Sequence, residues 1–211
     1  MENSKHNMKL NFIEILSLPS AEDKVFTPVE DGWSNAILNF GNDGWSIYAI
    51  GYQDAANILV AHIEEQEHHQ DALVYPILFL YRQYLELALK GLIRNGRRLQ
   101  NNREPFPQTH DIGSLWQICS QLLHEISPND SVEEVRQIGR LISEFCKVDP
   151  QSMAFRYPED RKGISSLTGM PHINIRRVRD VIGRIATIID GADAKISEHL
   201  SIKADMDSYY E

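Results

Sequence analysis

The fold of this protein is decided by residues 72–95, which read ALVYPILFLYRQYLELALKGLIRN. Apolar side chains recur here at steps of three and four, the spacing of one face of an α-helix. The predicted face consists of Ile77, Leu80, Tyr81, Tyr84, Leu85, Ala88 and Leu92. Pro76 fits a helix only within its first turn, and Asn95-Gly96 is a typical helix stop. The stretch therefore predicts a long central helix that begins near Asp71.

Four other segments have the features of helices. The first covers about residues 47–67 and the last about residues 173–200. Between them, one segment is capped by Thr109 or Asp111 and carries Leu115, and another begins at the capping box of Ser131 and Glu134. Together with the central helix, they predict an all-α fold. We expect an antiparallel helical bundle of about five main helices with an irregular N-terminal arm.

The chain divides into three predicted regions. Residues 1–47 are punctuated by prolines and glycines, so we expect an irregular arm packed on the body, with Trp33 and Trp45 as anchors. Residues 48–200 form the bundle, and residues 201–211 an acidic, flexible tail. The long connection over residues 148–171 contains Phe155-Arg156-Tyr157-Pro158, and connections of this length are often functional.

The composition favours a cytoplasmic protein. The N-terminal residues are polar and carry both charge signs, unlike a secretory signal. The apolar run Ala72 to Tyr81 is about half as long as the roughly twenty residues of a membrane span. Cys119 and Cys146 lack the spacing of a disulfide framework or a zinc site. We therefore expect no membrane partner, no metal and no cofactor.

Charge is distributed unevenly along the chain. The net charge of −9, from 21 basic and 30 acidic residues, argues against a general nucleic-acid binder. Residues 1–71 hold twelve acids against three lysines, whereas residues 72–192 hold sixteen bases against thirteen acids. The helical body is thus mildly basic.

A cluster of arginines follows the central helix. Its members are Arg94, Arg97, Arg98 and Arg103, which Arg176, Arg177 and Arg179 of the last helix can join. Such a patch can hold phosphates. The alternative is a solvated loop whose cations offset the dipole at the helix end, and both interpretations stay open.

Arg103 and His110 are separated by six residues in the loop that follows. A histidine can move the proton of a 2′-hydroxyl, and an arginine can stabilise the charged phosphorane. The alternative is that His110 packs at the start of a helix.

Arg82, Glu86 and Lys90 form a ladder of alternating charge at steps of four. Such a ladder is either a structural ion-pair network or a polar floor beneath a site formed with His110-Asp111 and Arg156-Tyr157. A different tract, His62 to His69, contains one Glu65-x-x-His68 step. A di-iron bundle needs two such steps, so a solvated helix end is favoured there.

Three motifs in order resemble the HEPN superfamily of helical bundles, over residues 72–192 at most. They are Tyr81-Arg82-Gln83-Tyr84-Leu85-Glu86-Leu87-Ala88-Leu89-Lys90, then Thr109-His110-Asp111-Ile112 with Leu115, then Phe155-Arg156-Tyr157-Pro158. The resemblance implies an all-α bundle that commonly dimerises. Members are RNA-cleaving toxins or defence effectors, or noncatalytic modules associated with RNA or nucleotides.

Catalytic members of the superfamily carry an arginine, four to six residues, and then a histidine, a spacing that Arg103 and His110 match. We therefore expect a homodimer that acts on or near RNA, as a metal-independent ribonuclease. The predicted catalytic residues are His110, Arg103 and Arg156, and the predicted binding residues are Arg82, Glu86, Lys90, Asp111, Tyr157, Arg97 and Arg98. The rival hypothesis is a noncatalytic module that self-associates through the face of the central helix and docks a protein partner through the N-terminal arm.

Overall fold

The computed structural model describes residues 18–30, 32–39, 44–126 and 132–210. These described residues contain five α-helices: α1 Gly44–Gln66, α2 Gln70–Leu99, α3 Ile112–Ile126, α4 Val132–Val148 and α5 Ile175–Tyr210. In these ranges there is no strand, and a single antiparallel bridge pairs Glu159 with Ser165. The predicted all-α bundle of five main helices is confirmed.

The long helix α2 lies at the centre of the bundle, in contact with α1, α3 and α5. Its apolar face is buried, since Ile77, Tyr81, Leu85 and Leu89 each have no exposed surface. Other helices of the same chain cover this face, so the idea that it mediates self-association is wrong. Burying such a face supplies the main favourable free energy of folding.

Both ends of α2 differ from the prediction. Pro76 is the seventh helical residue, beyond the first turn where we expected it. Gly96 does not stop the helix, which continues to Leu99. A Cβ at Gly96 would lie 3.3 Å from Leu122 Cδ1, so the missing side chain lets α3 approach closely. The amide of Asn95 also donates a 3.0 Å hydrogen bond to Asp193. Asn95-Gly96 is therefore a packing contact and not a helix end.

Helix α3 runs in the same direction as α2, whereas the sequence predicts an antiparallel pair. His110, just before α3, contacts Glu86 in the middle of α2, whereas Leu122 lies beside Gly96 near the end of α2. The loop after α2 carries the chain back along the helix before α3 begins. Arg97 holds this loop by donating hydrogen bonds to the Glu104 carboxylate and the Pro105 carbonyl.

The C-terminal residues continue α5 as far as Tyr210, so the predicted flexible tail after Leu200 is helical instead. Lys203 explains this, because its ammonium donates to the carbonyl of Leu99 at 3.1 Å and to the Asn101 side chain at 2.7 Å. A cation at the end of α2 satisfies a carbonyl that has no partner within the helix.

The N-terminal boundary also moves, because α1 begins at Gly44 and includes Trp45, which we assigned to the arm. By contact, the chain divides into Met1–Phe40 and Gly41–Glu211. In the first unit, the described residues contain one 3₁₀ helix, Gly32–Ser34, and a side-chain link from Asn35 to the backbone of Val29. Packing of the arm on the body stays a prediction. The capping serine predicted at Ser131 lies outside the described residues.

None of the helices in the described ranges has both the length and the apolar character needed to cross a membrane.

Candidate functional site

Glu86 and His110 form a pair at the surface of the bundle. The Glu86 side chain is 3 % exposed and the His110 side chain 76 % exposed, and Nδ1 of His110 lies 2.8 Å from Oε1 of Glu86. Because an ionised carboxylate only accepts hydrogen bonds, Nδ1 carries the proton and donates it. In the neutral form of the ring, the other nitrogen, Nε2, carries the lone pair, and the ring is exposed to solvent. A histidine held in this way is suited to accept a proton.

Glu86 is ionised despite its burial. Burial raises the pKa of its carboxyl, but the hydrogen bonds and charges of Lys90 and His110 outweigh burial and hold the pKa below its usual value. The Lys90 ammonium lies 2.8 Å from Oε1, the same oxygen that faces His110. A lysine and a histidine therefore share one buried carboxylate oxygen, and the lysine brings positive charge next to the imidazole.

Arg82 lies beneath this pair and is fully buried. Its guanidinium donates a 2.7 Å hydrogen bond to the carbonyl of His110 and lies 3.3 Å from Oε2 of Glu86. Because its guanidinium contacts the His110 carbonyl and the Glu86 carboxylate inside the protein, Arg82 positions the site and does not reach solvent. The predicted ladder of Arg82, Glu86 and Lys90 thus both holds the bundle and supports His110.

Asp149 completes the polar network, and sequence reasoning did not single it out. Its side chain is 2 % exposed, and Oδ2 lies 3.4 Å from Nε of Arg82. The other oxygen, Oδ1, accepts hydrogen bonds from the backbone of Met153 and Ala154 at 2.6 and 2.9 Å. Its sequence signal is the pair Asp149-Pro150, since aspartate before proline favours the start of a turn. Asp149 therefore ties the connection after α4 to α2.

Asp111 caps α3, as predicted from the sequence. Its Oδ1 accepts from the backbone of Gly113 at 2.9 Å, and its Oδ2 accepts from the hydroxyl of Ser114 at 2.6 Å. The hydrogen bond from Ser114 holds the pKa of Asp111 below its usual value, although partial burial opposes this. Asp111 thus fixes the start of α3 immediately after His110.

Arg156 and Tyr157 lie on the connection between α4 and α5. Nε of Arg156 donates to the Ser152 carbonyl, and its guanidinium carbon lies 5.6 Å from the Phe79 ring centroid and 5.7 Å from that of Tyr157. Within the described part of the chain, these contacts involve the connection and α2 but not His110. A catalytic role for Arg156 stays a prediction.

The predicted arginine cluster is not joined by arginines of α5. Arg176 and Arg179 both donate to the Glu64 carboxylate of α1, at 2.7 and 2.6 Å. Glu64 lies at the end of α1, close to the start of α2, whereas Arg97 and Arg98 lie at the end of α2. Since the last part of α5 meets the end of α2, its first residues lie at the opposite end of the bundle.

The remaining cations of the cluster lie on or near the loop before His110. Arg98 and Arg103 are exposed. Arg97 is engaged in holding the loop, as described above. The catalytic pairing of Arg103 with His110 stays a prediction.

No protein-family model matches this sequence, and searches of curated proteins and of solved structures found no significant match.

Proposed function

We propose that this chain is a HEPN-like helical module that acts on RNA, with His110 as the proton-transfer group of phosphodiester cleavage. The pairing of His110 with the buried, ionised Glu86 carries the proposal. A solvent-facing imidazole that donates to a carboxylate is the arrangement that general base catalysis by histidine uses. The order of the three sequence motifs supports the family assignment, and with it a homodimer in a cytoplasmic toxin or defence system.

The proposed reaction is cleavage by the 2′-hydroxyl of the RNA itself. Nε2 of His110 takes the proton of the 2′-hydroxyl while its oxygen bonds to the adjacent phosphorus and the bond from phosphorus to the 5′-oxygen breaks. The leaving 5′-oxygen takes a proton from water, and the hydroxide that remains takes the proton from the imidazolium, which restores the neutral ring. The products are a 2′,3′-cyclic phosphate and a 5′-hydroxyl end. Glu86 stabilises the imidazolium that forms, as a carboxylate does for an adjacent histidine.

Two cations are candidates for the phosphate. The Lys90 ammonium shares an oxygen of Glu86 with His110, so it lies close to the imidazole. Arg103 is exposed on the loop before His110 and can approach a bound strand from solvent. Positive charge near the phosphorane lowers the barrier because charge accumulates there in the transition state. In this proposal Arg82 acts through His110 and does not touch the RNA.

The test is RNA cleavage by the purified protein in EDTA, which removes divalent metals. His110→Ala should reduce the rate by at least about a hundredfold, the usual worth of a general base. Glu86→Gln should reduce it as well, since a neutral amide stabilises an imidazolium less. The matched control is His124→Ala, which removes an exposed histidine of α3 and should leave the rate unchanged.

Intact RNA with the wild-type protein, or equal cleavage by wild type and His110→Ala, would overturn the catalytic role. Cyclic-phosphate ends on the products separate this chemistry from hydrolysis by a contaminating nuclease that leaves other ends.

A second candidate is a noncatalytic interaction module, which exposed apolar side chains favour. On α1, Ile50 is 52 % exposed and Ile58 is 68 % exposed, and in the N-terminal unit Phe26 is 97 % exposed. A contiguous exposed apolar patch is typical of a contact with another protein. This hypothesis predicts a dimer that resists salt and has no RNA affinity. Sedimentation at low and high salt, with and without RNA, separates it from the first candidate, since phosphate contacts weaken steeply with salt.

A further inference from the structure

An aromatic cleft lies between the start of α1 and the loop before α3. Its lining consists of Gly44, Trp45, Tyr48, Leu87, Arg94 and Phe106, and its volume is about 760 Å³. The rings of Trp45 and Phe106 are tilted by 44° with centroids 5.2 Å apart. Tyr48 is 58 % exposed beside them. The cleft thus offers aromatic surface to a ligand from more than one side.

The cleft is lined by residues of α2 and of the loop before α3 that lie close in sequence to Glu86 and His110. Glu86, Lys90 and Arg94 follow one another at steps of four, so they lie on one line of the helix surface. Leu87 is the neighbour of Glu86, and Phe106 lies four residues before His110 on the same loop. One stretch of α2 and one loop therefore build both the imidazole site and the aromatic cleft.

The lining combines apolar surface with positive charge. Leu87 and the three rings supply flat hydrocarbon surface, and Arg94 supplies a guanidinium. Lys90, which is paired with Glu86, lies outside the lining one turn before Arg94. Flat apolar surface next to a cation fits a ligand with an aromatic ring and a phosphate, which describes a nucleotide. An apolar peptide side chain would use the rings but not the charge.

We propose that the cleft binds one unpaired nucleobase of the RNA strand whose phosphate lies at His110. The proposal rests on the proposed function and gives it a substrate class, single-stranded RNA. Bases stack on aromatic side chains whatever their sequence, because every base has a flat π face. A base in a duplex is already paired and stacked, so it enters only after unpairing, which costs free energy. The cleft therefore selects single strands over duplexes.

Tryptophan fluorescence can report binding without any cleavage. Trp33 is 89 % exposed and can be replaced in a Trp33→Phe background, while Trp116 is 7 % exposed and shielded in the core. The ligand-sensitive signal of that protein then comes from Trp45. Titration with a 2′-O-methyl oligonucleotide, which lacks the attacking hydroxyl, should quench this signal to saturation. The same oligonucleotide in a duplex should quench it far more weakly.

Two variants remove aromatic surface from the cleft. Phe106→Ala and Tyr48→Ala should each weaken binding of the single strand by about tenfold, as loss of a stacking ring does. Because Tyr48 is exposed, its replacement tests the cleft without removing core packing. The matched control is Tyr75→Ala, which removes an aromatic ring of α2 that is 48 % exposed and lies outside the cleft. The affinity of Tyr75→Ala for the single strand should equal that of the wild type.

The results separate this inference from the proposed function. Binding that the cleft variants weaken as expected, together with no cleavage of ordinary RNA, would overturn catalysis by His110 and keep the nucleobase site. Cleavage that depends on His110 but is unaffected by Phe106→Ala and Tyr48→Ala, with equal action on duplexes, would overturn the nucleobase site alone. An absence of both binding and cleavage would overturn both.

Discussion

The guanidinium of Arg82 donates a 2.7 Å hydrogen bond to the backbone carbonyl of His110, from a position where Arg82 has no exposed surface. Glu86, one turn later on α2, holds the side chain of the same histidine through Nδ1. Two successive turns of α2 therefore fix both the main chain and the imidazole of His110. These two contacts fix the orientation of the ring although most of the ring is exposed to solvent.

Replacing Arg82 should be costly for stability. Arg82→Leu removes the cation beside the buried Asp149 carboxylate and leaves Glu86 with Lys90 alone, and breaking a buried ion network in this way costs about 3–5 kcal/mol. The free energy of unfolding in urea measures the loss. Arg136→Leu is the control, because the ion pair of Arg136 with Glu133 is exposed and screened by solvent. Equal stability of the two variants would contradict a structural role for the buried network.

Removing the hydroxyl group should change the free energy of unfolding in opposite directions at Tyr81 and at Tyr84. The hydroxyl of Tyr81 donates a 2.8 Å hydrogen bond to Asn57, whereas that of Tyr84 is buried and has no hydrogen-bond partner among the described residues. Tyr81→Phe should lower the free energy of unfolding by about 1 kcal/mol, and Tyr84→Phe should raise it by a similar amount. Thermal melts of both variants check the signs, and a loss of stability in Tyr84→Phe would contradict the assignment.

Two helical glycines form a similar matched pair. A Cβ at Gly139 of α4 would lie 2.8 Å from Nε1 of Trp116, whereas a Cβ at Gly183 of α5 would meet nothing within 4 Å. Gly183→Ala should stabilise the protein by about 0.5–1 kcal/mol through helix propensity. Gly139→Ala should instead destabilise it, because the rigid indole must move away. If both variants melt at a higher temperature than the wild type, the close packing of α3 on α4 is wrong.

Stability should fall at acidic pH partly through Glu86. The folded state holds the pKa of this carboxyl below its ordinary value of 4.5. The resulting stability is fully present above that pH and is lost as the pH falls through the lower, folded-state pKa. The lowered pKa of Asp111 also makes stability fall at acidic pH. The contribution of Glu86 is therefore isolated by comparing the wild type with Glu86→Gln. The free energy of unfolding should depend less steeply on pH below about 4.5 in the variant, and an unchanged slope would refute the contribution of Glu86.

Part of the site follows directly from local sequence patterns. The ladder of Arg82, Glu86 and Lys90 needs only helical spacing, and Asp111 caps α3 because aspartate before a helix accepts backbone hydrogen bonds. The sequence offered a site of His110 above this ladder as one of two alternatives, and local patterns could not choose between them. The choice depends on the path of the loop after α2, which Arg97 holds through contacts with Glu104 and Pro105.

Two predictions from local sequence preferences were wrong because tertiary contacts outweighed those preferences. Gly96 looked like a helix stop, but the close approach of Leu122 uses its missing side chain inside the helix. The last residues looked like a frayed tail, but the hydrogen bonds of Lys203 to the end of α2 support a helix there. Both signals are local preferences worth about 1 kcal/mol, which packing can outweigh.

By itself, the sequence determined that this protein is a bundle of five helices built around the apolar face of α2, because helical periodicity is a property of neighbouring residues. Only the tertiary structure decided that α3 runs parallel to α2, that Asp149 reaches Arg82, and that His110 rests on Glu86. These pairs are 24 or more residues apart in the chain. Their meeting depends on how loops and helices pack together, since a buried charge such as that of Asp149 needs a partner and here finds it in Arg82 of a distant helix.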